Sequence, residues 1–349
     1  MKCVVTGSSG LLGHCLVERL EARGDTLSLV DIAEPEGPGH RGDHPLTLCD
    51  ISEPGALDEL ARGVDVIYHL AAAQRMKPQF QWSEERIFQS NLDAVANVLG
   101  GAEHGGVPKV VHVSSSGIYG VPRAVPVGED HPQEPLGRYG ESKIEAERLC
   151  AEALARGLDV TALRPMTLFG PRMTGVFTIL FEWVLRGKPV FLLGSGRNRV
   201  QGVSSWDVAD ACIAATLSAD SRGAMVNLGA EPDGVPTVRE WTEQLIAHAG
   251  GRSPVICIPA ALLRNTARVL DAFGVSPIVP EHYKLADADF VLDIQAAKDA
   301  LHWAPKYDNA RMLAEAYDWY VGLSGEARPR QHPVVRMLNA AMPTFTPRS

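Results

Sequence analysis

The chain has 349 residues, 45% of them hydrophobic and 21% charged, with a formal net charge of −9. That is enough chain for one large or two medium domains with a substantial core, and its acidic balance argues against a nucleic-acid surface. Six scattered cysteines (Cys3, Cys15, Cys49, Cys150, Cys212, Cys257) include no C-x-x-C pair, so they are expected to be reduced thiols in a cytoplasmic protein rather than zinc ligands.

The first strand is expected at 2–6, which leaves no room for a signal peptide. It runs into a turn with glycines at Gly7, Gly10 and Gly13, followed by an apolar helix pattern over 11–23. Such a turn lets backbone approach a pyrophosphate, and the next helix offers free N–H groups and the positive end of its dipole. A second strand, 26–30, leads to Asp31, 18 residues beyond Gly13, where a carboxylate accepts from the ribose hydroxyls of NAD. No Arg directly follows Asp31 to hold a 2′-phosphate, which favours NAD over NADP. Further strands are expected at 64–69, 109–114 and 158–164, and helices at 54–62, 84–104 and 139–156. The alternation calls for a doubly wound α/β fold, a parallel sheet with helices on both faces.

After residue 165 the rhythm loosens, which suggests a smaller substrate-binding lobe over the carboxyl ends of the strands. The expected division is a dinucleotide-binding domain over 1–165, a discontinuous lobe over 166–320 with returns to the sheet near 203–228, and a Pro- and Arg-rich tail over 325–349. The apolar stretch 177–194 is interrupted by Glu182, Arg186, Lys188 and Pro189, so no membrane span is expected.

Tyr139 and Lys143 lie one helical turn apart, where an ammonium can favour the phenolate. Ser114, Ser115 and Ser116 end a central strand 23 to 25 residues earlier, and hydroxyls there face the crevice of an open sheet. With the glycine turn, Asp31, Cys49-Asp50-Ile51, His69-Leu-Ala-Ala72, Asn91, Ser114-Ser-Ser-Gly-Ile-Tyr-Gly120, Arg164-Pro-x-x-x-x-Gly-Pro171 and Asp293-x-x-x-Ala-Lys-x-x-Leu-x-Trp303-x-Pro305, these motifs stand in order over about residues 1–320. The chain resembles the extended short-chain dehydrogenases/reductases, the NAD-dependent epimerase/dehydratase group.

The resemblance implies a Rossmann-type sheet with NAD as cofactor and roles for individual residues. Tyr139 would be the general acid/base, Lys143 would hold the ribose and acidify Tyr139, and Ser115 would be the catalytic serine, with Ser116 beside it. Gly7, Ser9, Gly10, Leu11, Gly13, Asp31, Asp50, Ile51, Leu70, Ala71, Ala72, Ser114, Tyr139, Lys143 and Pro165 would line the cofactor site. Asn91 belongs to the same set, in a mainly structural role. Thr167, Arg197 and Arg199, with Ser116, are candidates for the substrate, and no residues are expected to bind metal.

Dehydratases and decarboxylases of the family resemble one another in an acid two or three positions before the Tyr of the Tyr-Gly pair. Here those positions hold Gly117 and Ser116, and Glu129 and Asp130 read as solvated loop charges. That leaves hydride chemistry: a nucleotide-sugar epimerase, acting at C4, or an NAD(P)-dependent alcohol dehydrogenase or ketoreductase on a sugar, sterol or lipid. A reading of another class is a non-catalytic cofactor-binding regulator, from which an intact Tyr139 and Lys143 detract. Thr167 replaces the Asn usual in sugar-nucleotide epimerases, and Val200 stands where an Arg usually pairs with the diphosphate, leaving Arg197 or Arg199 to substitute. Arg75 and Lys77 are further phosphate candidates, His69 reads as a buried hydrogen-bonded histidine, and Phe80, Trp82 and Phe88 suit packing. The long helices 84–104 and 139–156 resemble the dimer seam of related folds, which implies a homodimer.

Overall fold

The computed structural model describes residues 1–34, 44–74, 83–173, 175–259, 284–323 and 342. Three strands that begin the sheet, β1 (Lys2–Thr6), β2 (Thr26–Asp31) and β3 (Leu46–Leu48), are joined by β4 (Val66–His69), β5 (Lys109–Val113), β6 (Asp159–Pro165) and, from far along the chain, β10 (Met225–Leu228). Their order is β10-β6-β5-β4-β1-β2-β3, and every pairing is parallel.

Helices cover both faces, and period-2 alternation divides each strand between them. Cys3 and Val5, Val66 and Tyr68, and Val111 and Val113 pack toward α1 (Leu11–Ala22) and α5 (Ser205–Leu217). Val4, Ile67 and Val110 pack toward α2 (Glu84–Gly105) and α3 (Arg138–Arg156). This two-sided burial is why the strands read as continuous apolar runs.

A third apolar cluster lies beyond the sheet. Around it stand β7 (Thr167–Phe169), α4 (Val176–Leu185), β8 (Val190–Leu193), β9 (Gly202–Ser204), α6 (Val238–His248) and β11 (Val255–Ile258). Following α7 (Gln295–Leu301), the last described helix, α8 (Asn309–Gly322), places Met312, Leu313, Tyr317 and Tyr320 in that cluster.

Two expectations need correction. The 3-residue edge strand β3 has no counterpart among the predicted strands, because it is too short and too exposed to show an apolar period. The predicted helix 54–62 is a chain of turns. Gly55 at φ 76 leaves the helical path, and Asp58 N→Gly55 O and Arg62 N→Glu59 O are three-residue bonds. Leu57 and Ala61 are nevertheless fully buried, against the close-approaching Gly101 and Gly105 of α2. Most of the Pro- and Arg-rich tail, with Arg75, Lys77, Phe80 and Trp82, lies outside the described residues; the Met342 carbonyl accepts from Lys188 Nζ at 2.6 Å.

Candidate active site

The carboxyl ends of the parallel strands form one rim, and the sequence-predicted residues gather on it. Gly7 has φ 73, and a Cβ there would stand 2.7 Å from the Ala71 amide nitrogen. A Cβ on Gly13 would meet the Gly7 oxygen at 2.3 Å, so both glycines are required where helix, turn and strand end converge. Gly10 begins α1 with no side-chain cap and no acidic residue in the first turn. By contrast α2, α5, α6 and α8 are capped by Ser83, Ser204, Thr237 and Asp308. The N–H groups at the start of α1 are thus left for an anion.

At the tip of β2 the Asp31 carboxylate accepts from Ser9 N at 2.9 Å and Ile32 N at 2.7 Å, which fixes it beside the turn. Ser9 Oγ donates to the Ala33 carbonyl at 2.8 Å. Asp50 accepts from the Ser52 hydroxyl at 2.7 Å, while Ile51 is largely a core residue whose carbonyl is held by Asn97 Nδ2 at 3.0 Å. Leu70 N donates to Thr6 O at 3.1 Å, and Leu70, Ala71 and Ala72 stay half-buried along the rim. The uncapped helix start, the glycine cradle and an acid at the second strand tip fit a dinucleotide.

Asn91 is a staple: its Oδ1 accepts from Ala73 N at 2.8 Å, and its Nδ2 donates to Ala73 O and to Ser142 Oγ. Ser142 Oγ donates in turn to the Tyr139 carbonyl at 2.7 Å, so the loop after β4 and the first turn of α3 move together.

Of the three serines, Ser115 alone meets Tyr139. Its Oγ accepts from Gly117 N at 3.0 Å, capping a single 3-10 turn, and hydrogen-bonds the Tyr139 phenol. Gly140 permits this approach, because a Cβ there would meet the Gly117 oxygen at 2.8 Å. Ser116 Oγ turns to Met166 Sδ at 3.3 Å. Ser114 Oγ donates to Glu147 Oε1 at 2.6 Å, inside the protein, so its hydroxyl does not face the crevice as the sequence suggested.

Tyr139 is set chiefly by its burial. Burial holds the phenol above its usual value, and hydrogen bonds from Gln74 and Ser115 work against that shift. Lys143 Nζ lies 5.8 Å from the centre of the Tyr139 ring and donates to Val113 O at 2.8 Å. Under it lie His69 and His112, stacked 5.2 Å apart, with His69 hydrogen-bonded to Thr6 Oγ1 at 2.8 Å. Burial first, and the Lys143 charge second, keep both imidazoles neutral, His69 with its pKa lowered to about 3.

Behind this group a second polar cluster is completely enclosed. Arg164 donates twice to Glu147, at 2.9 and 2.7 Å, and to the Tyr119 hydroxyl at 2.9 Å. Tyr119 donates to Asn227 Oδ1 on β10 at 2.8 Å. Burial opposes the Arg164 charge, but Glu147 more than offsets it and the guanidinium is held above its usual value. Glu129, half-buried, lies at its edge: its carboxylate accepts from Asn227 N at 2.9 Å, while Asp130 is exposed.

Pro165 ends β6 at the rim and is buried, and Thr167 begins β7, half-buried. Arg197 and Arg199 are both exposed; Arg199 N donates to Asp289, and its charge acts on Glu240 of α6. Gln74 was missed in the sequence because nothing marks it apart from a loop polar residue. Glu147 carried a readable signal, a carboxylate four residues beyond Lys143 on a helix.

The family model described as the NAD dependent epimerase/dehydratase family matches residues 3–229. The chain belongs to this family. It is an enzyme of the extended short-chain dehydrogenase/reductase type, with NAD as its cofactor. Within the family it is 28% identical to a UDP-glucose 4-epimerase of Mycolicibacterium smegmatis, over 92% of this chain and 98% of that one. It is 31% identical to the decarboxylating sterol-4-alpha-carboxylate 3-dehydrogenase of Bos taurus, over 57% of this chain and 55% of that one. A UDP-glucose 4-epimerase of Thermotoga maritima, crystallised with UDP-glucose, shares the fold with a TM-score of 0.75 at 22% identity, over 92% of this chain and 99% of that one.

Proposed function

We propose that the protein is an NAD-dependent nucleotide-sugar epimerase acting at C4, with Tyr139 as its acid/base. The supporting observation is the company Tyr139 keeps: its phenol is tuned by burial, Gln74 and Ser115, and among the described residues no carboxylate is one of the groups acting on it. Elimination needs a further acid or base at the neighbouring carbon; epimerisation at a carbinol needs one group that takes and returns a single proton.

Tyr139 removes the hydroxyl proton as the carbon is oxidised and gives it back on reduction. Ser115 orients that hydroxyl and donates to the developing carbonyl oxygen. Lys143, fixed by the Val113 carbonyl, supplies positive charge beneath the phenol. NAD, when bound there, would supply the reversible hydride acceptor. The half-buried Thr167 and the lobe around the third apolar cluster would take the sugar and its diphosphate. The similarity to a nucleotide-sugar epimerase along nearly the whole chain supports that substrate class.

A second reading, net oxidation of a sterol-like or other alcohol, is favoured by the sterol dehydrogenase likeness and by the exposed positions of Arg197 and Arg199. One assay separates them. Incubated with UDP-glucose or UDP-galactose and substoichiometric NAD, an epimerase interconverts the sugars without net NADH, as chromatography and absorbance would record. Stoichiometric NADH with no epimer overturns the first reading in favour of the second.

The same reading extends to assembly and location. The pair α2 and α3 leaves Phe88 and Leu92 half-buried and Ala96 exposed, a face suited to a second copy of the chain. A single monomeric species in sedimentation at micromolar concentration would remove the homodimer. All six cysteines are free, which suits the reducing cytoplasm, and among the described residues no helix is long and apolar enough to cross a membrane.

A further inference from the structure

Arg172, in the loop between β7 and α4, departs from two rules at once. Its backbone lies at φ 68, in the left-handed region that favours glycine. Its side chain is buried, at 9% exposure, yet among the described residues it forms no hydrogen bond or ion pair, and its enclosed Nε has no partner. A buried guanidinium without a carboxylate is an uncompensated charge, and burial accordingly lowers its hold on the proton.

What surrounds Arg172 shows where an anion would sit. Phe169 and Met173, on either side of it in the chain, belong to an apolar cluster against which Leu11, the first residue of α1, is packed. The Arg172 charge also reaches one turn further along the same helix. His14 is pressed below its usual value by burial and then by Arg172, and Cys15 feels the same guanidinium. An unpaired buried cation and an uncapped helix start, with no acid in its first turn, therefore share one region. Each lacks the same thing, a negative group.

We propose that Arg172 is a ligand of the cofactor pyrophosphate, its guanidinium joining the N–H groups of the glycine turn around the two phosphates. It is a binding residue and takes no proton in the reaction. On this assignment, the strain of the left-handed backbone is retained because the charge is needed beside α1. The inference rests on NAD being the cofactor and not on which reaction the site performs.

The test reads binding rather than turnover. The full chain, stripped of nucleotide, is titrated calorimetrically with NAD and, separately, with adenosine, which has no phosphate. Arg172→Gly removes the guanidinium and suits the backbone; Arg172→Gln removes the charge but keeps a polar side chain. Both should weaken NAD binding by about ten- to a hundredfold, the size of a lost charge-assisted hydrogen bond, with Arg172→Lys in between and adenosine affinity unchanged. Without nucleotide, Arg172→Gly should melt at or above the parent temperature. NAD affinities within twofold of the parent for both variants would overturn the assignment, as would an equal loss for adenosine. So would intact NAD binding with a raised KM for the sugar, which would move the guanidinium to the substrate. A chain that proves to be a dehydrogenase leaves all of these readouts standing.

Discussion

Two polar clusters stand side by side at the carboxyl end of the sheet, and they obey opposite rules. In the cluster around Glu147 and Arg164, each residue at 4% exposure, the ion pair, Ser114, Tyr119 and Asn227 bond one another inside the protein. In the cluster around Tyr139, residues Tyr139 and Ser115 are half-buried, and Lys143 donates to the Val113 carbonyl. Adjacent serines make the contrast sharpest, because the pleat sends Ser114 inward and Ser115 to the crevice. The first network is closed within the protein, and the second lies at the edge of the crevice.

The largest expected effect comes from the second cluster. Tyr139→Phe should lower turnover by about a hundred- to ten-thousandfold, the usual contribution of a positioned acid/base. NAD binding by calorimetry and the melting temperature should stay as in the parent. Near-normal turnover would erase the distinction between the clusters.

Next in size, Glu147→Ala strands the Arg164 charge and should cost about 3–5 kcal/mol in urea unfolding. A change within experimental error would show that the enclosed network is not holding the framework.

A graded effect sits under both clusters. The folded chain keeps His69 and His112 neutral, His69 with a pKa near 3 against an ordinary 6.5. Below 6.5 the unfolded chain takes up protons that the folded chain refuses. Stability is therefore complete above 6.5 and falls as pH drops toward 3, by about 1.4 kcal/mol per pH unit for each histidine. Urea midpoints between about pH 7 and pH 5 measure the slope, to which His14 also contributes and which His112→Phe should reduce. An unchanged slope in that variant would mean that His112 titrates freely.

The fold and the cofactor side of the site were legible in the sequence because each element there answers to a local rule. A strand, three glycines and an apolar helix sit within 22 residues, and the central strands announce their two-sided burial by unbroken apolar runs. The 54–62 segment misled for the same reason: Leu57 and Ala61 keep helical spacing, but Gly55 diverts the backbone. What stayed hidden depends on distant partners. Tyr119 meets Asn227 across 108 positions, and Ser114 differs from Ser115 only by the face its strand end presents. The unpaired charge of Arg172 is equally invisible until the loop is seen against α1.

Strand β10 carries a last consequence, for how the molecule is made. It lies at the sheet margin beside β6, and it comes from residues 225–228, synthesised after the excursion that builds β7, α4, β8, β9 and α5. Until the ribosome has passed that point, β6 has a bare hydrogen-bonding edge and Tyr119 lacks the amide it donates to. A fragment ending at residue 165 would contain most of the nucleotide fold yet expose an adhesive margin. The polypeptide closes its sheet only on the way back from that excursion.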